Sequence, residues 1–209
     1  FQNNLPTRIP TTGSIELTEN CNFRCLHCYQ GMNKAKSMLS GAKWCSVLDV
    51  LKVAGTLWLL ITGGEPLLHP DFEKIYTHAI KNGFLISVFT NARLLQDRHI
   101  ELFRKYPPFG IEVTLYGMSE ETYRRSTGTK NSFAKVISNC KKILAANLPL
   151  KLKSVAFKPV IDDIPEMRKF VAAEFGVPFK FDTKIDPSIY GDSHDDVRPS
   201  PEEIVALEE

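Results

Sequence analysis

The chain has 209 residues, 43% of them hydrophobic and 24% charged, a composition that suits one large globular domain with a sizeable core. A formal net charge of +2 with scattered basic residues excludes a nucleic-acid footprint, and the longest apolar stretch, residues 57–61, falls far short of the roughly 20 needed to span a bilayer. No signal-peptide run occupies residues 1–10 and the cysteine count is odd, so the expectation is a cytoplasmic protein with unpaired thiols and neither nucleic acid nor membrane as partner.

A first strand is predicted at 14–17. Trp44, Val47, Leu48 and Leu51 recur at helical spacing behind Ser40, a residue type that caps helix N-termini. Residues 57–62 form a continuous apolar strand that stops at Gly63-Gly64. A helix over 71–82, with Phe72, Ile75, Ala79 and Ile80 inward, stops at Gly83. Strand 85–90 leads to helix 97–106, which Pro107-Pro108 ends. Strand 111–116 is followed by the clearest helix, 131–146, with Phe133, Val136, Ile137, Cys140, Ile143 and Leu144 on one face. Strand 150–157, a helix through Ile164, Met167, Phe170, Val171 and Phe175, and strand 179–185 complete the pattern. Residues 186–199 are polar and turn-rich. Ser200-Pro201-Glu202-Glu203 then opens a last helix, with a capping Ser and Pro at the first position.

Six strand–helix units in succession imply parallel strands joined by right-handed crossovers. Six are too few for a closed eight-stranded barrel, which leaves a three-quarter βα barrel or an open doubly wound sheet. In either α/β architecture, ligands sit at the carboxyl ends of the strands.

Beyond the first strand lies Cys21-Asn22-Phe23-Arg24-Cys25-Leu26-His27-Cys28-Tyr29, a C-x3-C-x2-C spacing. Three thiolates this close can grip a metal centre. On a four-iron cube they leave one iron open for chemistry, whereas electron-carrying ferredoxins supply a fourth Cys. The nearest candidate, Cys45, lies 17 residues on, inside a predicted helix. A structural zinc held by the three Cys and His27 is the alternative, at a cost in geometry because His27 sits between two ligands. Cys140 belongs to a core face. The second strand ends Thr62-Gly63-Gly64-Glu65-Pro66, where two glycines let backbone approach a ligand closely and Glu65 offers a carboxylate for an ammonium group.

Taken together, these residues resemble the radical S-adenosylmethionine (SAM) superfamily. The triplet matches its C-x3-C-x-φ-C signature, with His27 at the usually aromatic φ position. Gly63-Gly64-Glu65-Pro66 matches its second motif, and the six units match its partial barrel. The resemblance implies that Cys21, Cys25 and Cys28 ligate three irons of a [4Fe-4S] cluster while SAM chelates the fourth. It implies that Gly63, Gly64 and Glu65 meet the methionine amino group, and that Tyr29 lies near the adenine through its main chain. A reductant such as a flavodoxin or ferredoxin is expected.

Weaker matches extend the site. Thr90-Asn91 resembles a common Thr-Asn-Gly pattern, with Ala92 in place of Gly. Thr114-Leu115-Tyr116-Gly117 stands where relatives often have Ser-Leu-Asp-Gly, so Thr114 takes the Ser's part at the ribose while Tyr116 removes the usual acid. Arg125 lies where several relatives place an Arg for the SAM carboxylate. The plain readings are a turn residue for Asn91, a strand residue for Thr114 and a solvated helix charge for Arg125.

Residues 198–203 resemble the Arg-Leu-Ser-Pro-Glu-Glu stretch that follows the sixth strand in SPASM-type enzymes, which mostly modify peptides and proteins. The expected organisation is an extension over 1–13, the partial barrel over 14–185, and a linker with the start of a helix over 186–209 that leads toward a C-terminal domain. The expected substrate is a peptide or protein. The alternatives are small-molecule chemistry in haem or quinone cofactor biosynthesis and a non-catalytic Fe–S electron-transfer or sensing role.

Overall fold

A computed structural model describes residues 9–31, 38–191 and 193–207. Residues 1–8 of the expected N-terminal extension and 208–209 at the chain's end lie outside the described residues. The strands are β1 (Thr12–Glu16), β2 (Trp58–Thr62), β3 (Leu85–Thr90), β4 (Gly110–Thr114), β5 (Leu150–Val155) and β6 (Phe179–Asp182). All five pairings are parallel, in the order β1-β2-β3-β4-β5-β6, and β1 and β6 are not paired with each other. The sheet is therefore the open, partial barrel, and its carboxyl ends all lie on one rim.

Side chains alternate across it. Ile15, Leu59, Ile61, Ile86, Val88, Ile111, Val113, Leu150 and Leu152 are buried toward the helices. The residues between them (Glu16, Thr62, Phe89, Thr114 and Lys153 among them) turn the other way, toward the lumen. The helices are α1 (Gly41–Val53), α2 (Phe72–Lys81), α3 (Asp97–Lys105), α4 (Glu120–Thr127), α5 (Phe133–Ala145), α6 (Ile164–Glu174) and α7 (Pro201–Val205). Ser40 caps α1 by accepting from the Lys43 N–H at 3.4 Å. Ser200 and Glu203 form a reciprocal capping box at α7. No helix among the described residues is long and apolar enough to cross a membrane.

The pattern of apolar residues does not announce α4 as an element. It is almost wholly polar, and what defines it are its ends: the Ser119 hydroxyl accepts from the Thr122 N–H at 3.0 Å, and Gly128 takes the left-handed conformation at φ 65°. Strands β4, β5 and β6 end two to three residues earlier than the apolar runs suggest. Leu115, Phe157 and Ile185 are buried, so they extend the apolar pattern into the loops at the rim.

Candidate active site

The loop after β1 carries the three cysteines and is tied to the end of β2 by main-chain hydrogen bonds. Leu17 N–H donates to Thr62 O at 3.0 Å, Gly64 N–H to Thr18 O at 2.7 Å, and Glu65 N–H to Asn20 O at 2.9 Å. The approach is so close that a Cβ on Gly64 would lie 2.4 Å from Asn20 O. Gly63 combines φ 146° with a Cβ position 2.5 Å from Thr18 O. The other side of the loop rests on α4, where Arg24 N–H donates to Thr127 O at 2.8 Å and Leu26 N–H to Ser126 O at 3.1 Å. Residues 186–199, expected as a linker, also reach this loop: Ile189 N–H donates to Tyr29 O at 2.7 Å, and His194 Nε2 lies 3.2 Å from Cys28 O.

These contacts bring Cys21, Cys25, Cys28, Tyr29, Gly63 and Gly64 around one cleft of about 280 Å³ at the carboxyl ends of the strands. Asn91 and Thr114 line it as well, from the ends of β3 and β4. Asn91 Nδ2 lies 3.8 Å from Cys21 Sγ and donates to Asn22 Oδ1 at 2.9 Å. Arg125 stands exposed on α4, and the residues lining the cleft do not include it.

Glu65 is fully buried behind the cleft wall, and both of its oxygens already accept hydrogen bonds. Oε1 takes the Thr90 hydroxyl at 2.7 Å and the Leu67 N–H at 3.2 Å, and Oε2 takes the Asn91 N–H at 2.8 Å. Burial pushes its carboxyl up to about 7 against the pull of those three donors. Glu65 thus pins the end of β3 to the glycine turn. The Tyr29 hydroxyl donates to Glu16, which also accepts from Gln30 Nε2 at 2.9 Å.

His27 behaves as the aromatic residue that its motif position expects. Its ring lies 4.3 Å from Phe157 and 5.9 Å from Tyr116, and burial lowers its pKa to about 4. Burial raises all three thiols, Cys21 to about 11, and the side chain of Tyr116 hydrogen-bonds Cys25. Sequence reasoning missed Lys153 and Lys184, which line the same cleft, and Glu112, which pairs with Lys153 at 3.6 Å. The alternation Leu150-Lys151-Leu152-Lys153 is the signal that would have found the first, because it aims charge at the lumen.

The sequence from 15 to 171 matches the family described as the Radical SAM superfamily. The chain belongs to the radical SAM superfamily. Within that superfamily it is 27% identical over 165 residues to the antilisterial bacteriocin subtilosin biosynthesis protein AlbA of Bacillus subtilis, covering 78% of this chain and 37% of that protein. It is 25% identical over 196 residues to the AdoMet-dependent heme synthase of Methanosarcina barkeri, covering 93% and 56% respectively. Streptococcus suis SuiB, solved with its precursor peptide SuiA, superposes with a TM-score of 0.73 at 18% identity over 83% of this chain and 39% of SuiB, a likeness of fold. The chain therefore spans about 40–55% of the length of these proteins.

Membership in the superfamily implies a [4Fe-4S] cluster and SAM. The residues present fit both. Three soft sulfur donors line the cleft. Among the described residues no three His, Cys, Asp or Glu stand close enough to hold a single metal ion, whereas the thiolates of a cube each take a separate iron and stand farther apart. The glycines at 63 and 64 let the cysteine loop close onto the turn, since a Cβ there would meet Thr18 O or Asn20 O.

Proposed function

We propose that this chain is the catalytic core of an enzyme that uses Cys21, Cys25 and Cys28 to hold a [4Fe-4S] cluster, binds SAM in the same cleft, and acts on a peptide. The observation that carries the reading is the convergence of three half-buried thiols and a side-chain-free glycine turn on one cleft at the carboxyl rim of the partial barrel. When bound, the cluster would supply the electron for reductive cleavage of SAM, giving the site the means to remove a hydrogen atom from substrate.

The chain's own residues hold and shield. In this reading the three cysteines bind as thiolates. Burial alone disfavours that form, so the charge of the irons must supply the stabilisation. Gly63 and Gly64 offer main-chain groups to the methionine moiety. Glu65 acts at one remove, through the β3 end that it pins, because its own oxygens are occupied. Asn91 and Thr114 contribute polar groups toward the nucleoside, and the Tyr29 main chain borders it. Arg125 does not line the cleft, so no SAM contact is assigned to it. Phe23, His27 and Tyr116 line the cleft with rings that exclude water, as a carbon radical requires.

A peptide substrate is supported by the similarity to AlbA, a bacteriocin biosynthesis protein, and by the shared fold with SuiB, solved with a precursor peptide. The SPASM-type grouping rests on residues 198–203. A flavodoxin or ferredoxin would supply the electron. The test is anaerobic reconstitution of the intact protein with iron and sulfide, followed by SAM and dithionite. We expect a brown protein that forms 5′-deoxyadenosine. A fully loaded cluster that cleaves no SAM would overturn the catalytic reading in favour of an electron carrier.

A further inference from the structure

The half of the lumen built by β4, β5 and β6 carries charges that the cofactor chemistry does not use. Lys153, at the middle of β5, sits in register with Thr114 on β4 and Lys180 on β6. Its ammonium lies 3.1 Å from the centroid of the Phe89 ring and 3.6 Å from Glu112, and its side chain is 28% exposed. Glu112 is shared with Lys151, 3.7 Å away. Neither contact is a close hydrogen bond, so Lys153 keeps donors to offer. Lys184 and Asp186, at the rim, pair with each other at 3.0 Å.

Lys153 also joins two spaces. It lines the cofactor cleft, and it is the one residue shared with a second cavity of about 420 Å³ deeper in the lumen, walled by Glu112, Lys151, Lys180, Phe181 and Asp182. Around these two spaces stand four lysines (151, 153, 180 and 184) against three carboxylates (112, 182 and 186). One positive charge is left over, and the most enclosed ammonium shares its counter-ion. Burial lowers Lys153 to about 8, so its charged form gains from an incoming anion.

We propose that Lys153 anchors the substrate by receiving a carboxylate of an acidic peptide across the floor of the cleft. This rests on the peptide reading given above and names the chemistry of that peptide. The cation on Phe89, between the cofactor cleft and the deeper cavity, would hold a carboxylate at a fixed distance from the radical source. Lys153 is a binding and positioning residue here, and no bond to it is made or broken.

The test uses the intact, cluster-loaded protein and three synthetic hexapeptide pools. One has a central Glu and an amidated C-terminus, one a central Gln and an amidated C-terminus, and one a central Gln with a free C-terminus. Retained peptide is measured by affinity capture and mass spectrometry, and SAM affinity by equilibrium dialysis. We expect the wild type to hold one carboxylate-bearing pool about tenfold or more above the amidated Gln pool, the gain of one charge-assisted hydrogen bond. The Glu pool winning assigns a side-chain carboxylate, and the free-terminus pool winning assigns the chain terminus. Lys153→Met should erase the preference with SAM affinity within about twofold of wild type, and Lys153→Arg should keep it. Equal retention of all three pools by the wild type overturns the inference and leaves the peptide reading standing. A Lys153→Met variant that keeps the preference overturns it as well. If SAM affinity falls with the preference, Lys153 belongs to the cofactor and the inference is overturned. Retention of no pool by a protein that still cleaves SAM overturns the peptide reading, and the inference with it.

Discussion

The two halves of the partial barrel are built on different principles. From β1 to β3 the rim is held by close hydrogen bonds, most of them involving main chain: the cysteine loop is laced to the β2 turn by N–H donors at 2.7 to 3.0 Å, and the buried carboxylate of Glu65 ties that turn to β3. From β4 to β6 the lumen is furnished with long charged side chains whose contacts are looser. Main-chain contacts survive most substitutions, because they depend on sequence only where a Cβ would intrude. Side-chain contacts change with a single codon. A cofactor shared by many reactions suits the first kind of wall, and a substrate particular to one enzyme suits the second.

The sharpest way to break this division is to remove one of the three thiols proposed to hold the cluster. Cys25→Ala should abolish both the brown chromophore and 5′-deoxyadenosine formation, because a cube held by two thiolates is poorly retained. Cys140→Ala, at a buried position on α5, should keep both and lose only about 1 kcal/mol in denaturant unfolding. Cluster loss in the Cys140 variant would show that the ligands are wrongly assigned.

Next in size is Gly64→Ala. The added methyl would stand 2.4 Å from Asn20 O and 2.6 Å from Glu19 O, both main-chain atoms in the laced loop that cannot swing aside. We expect a loss of about 2–4 kcal/mol in urea unfolding of the cluster-free chain. A loss under about 0.5 kcal/mol would mean that the cysteine loop is not fixed by the turn, and the contrast between the halves would fail.

Glu65 sharpens the comparison through pH. Its folded-state value of about 7 lies above the ordinary 4.5, so the folded chain binds the proton more tightly than the unfolded chain. The contribution to stability is fully present below about 4.5 and is lost as pH rises toward and through 7. Stability of the cluster-free chain should therefore carry a falling component between those values. Glu65→Gln should flatten that component, at a general cost of about 1–3 kcal/mol, because an amide nitrogen cannot accept from one of the three donors. An unchanged slope in the variant would show that another group sets it.

Periodicity together with cap and stop signals, such as Ser200-Pro201 and Pro107-Pro108, reveals the six strands and six of the seven helices, and β2, α2 and α5 carry unbroken apolar patterns. It misses α4, whose one large buried side chain, Tyr123, gives no period. It also overruns three strand ends, where buried loop residues imitate strand. The cysteines and glycines are legible because their chemistry depends on local spacing. The tie from Glu65 to Thr90 and Asn91 is not, because it joins residues 25 and 26 positions apart through a fold that no local pattern encodes. Lys153 is half legible: alternation aims it inward, but its partners on β3 and β4 come only with the sheet.

The smallest expected effect concerns Ala92, which follows Asn91 where relatives often have Gly. Ala92 is fully buried with φ 56°, a left-handed conformation that costs an L-residue about 1–2 kcal/mol. The conformation is held at both ends: the Ala92 N–H donates to Thr90 Oγ1 at 2.9 Å, and its carbonyl accepts from Asn139 Nδ2 on α5 at 2.7 Å. Ala92→Gly relieves the strain but gives up a buried methyl worth about 0.8 kcal/mol and adds about 0.5–1 kcal/mol of chain entropy to be lost on folding. The terms nearly cancel, so we expect unfolding stability within about 0.5 kcal/mol of the parent. The near-cancellation explains how an alanine is tolerated at this bend. Asn139→Ala removes the clamp without relieving the strain, and should cost about 1–3 kcal/mol alone. The same loss should follow in the Ala92→Gly background if the clamp serves the carbonyl, and a much smaller one if it serves only to hold Ala92 left-handed.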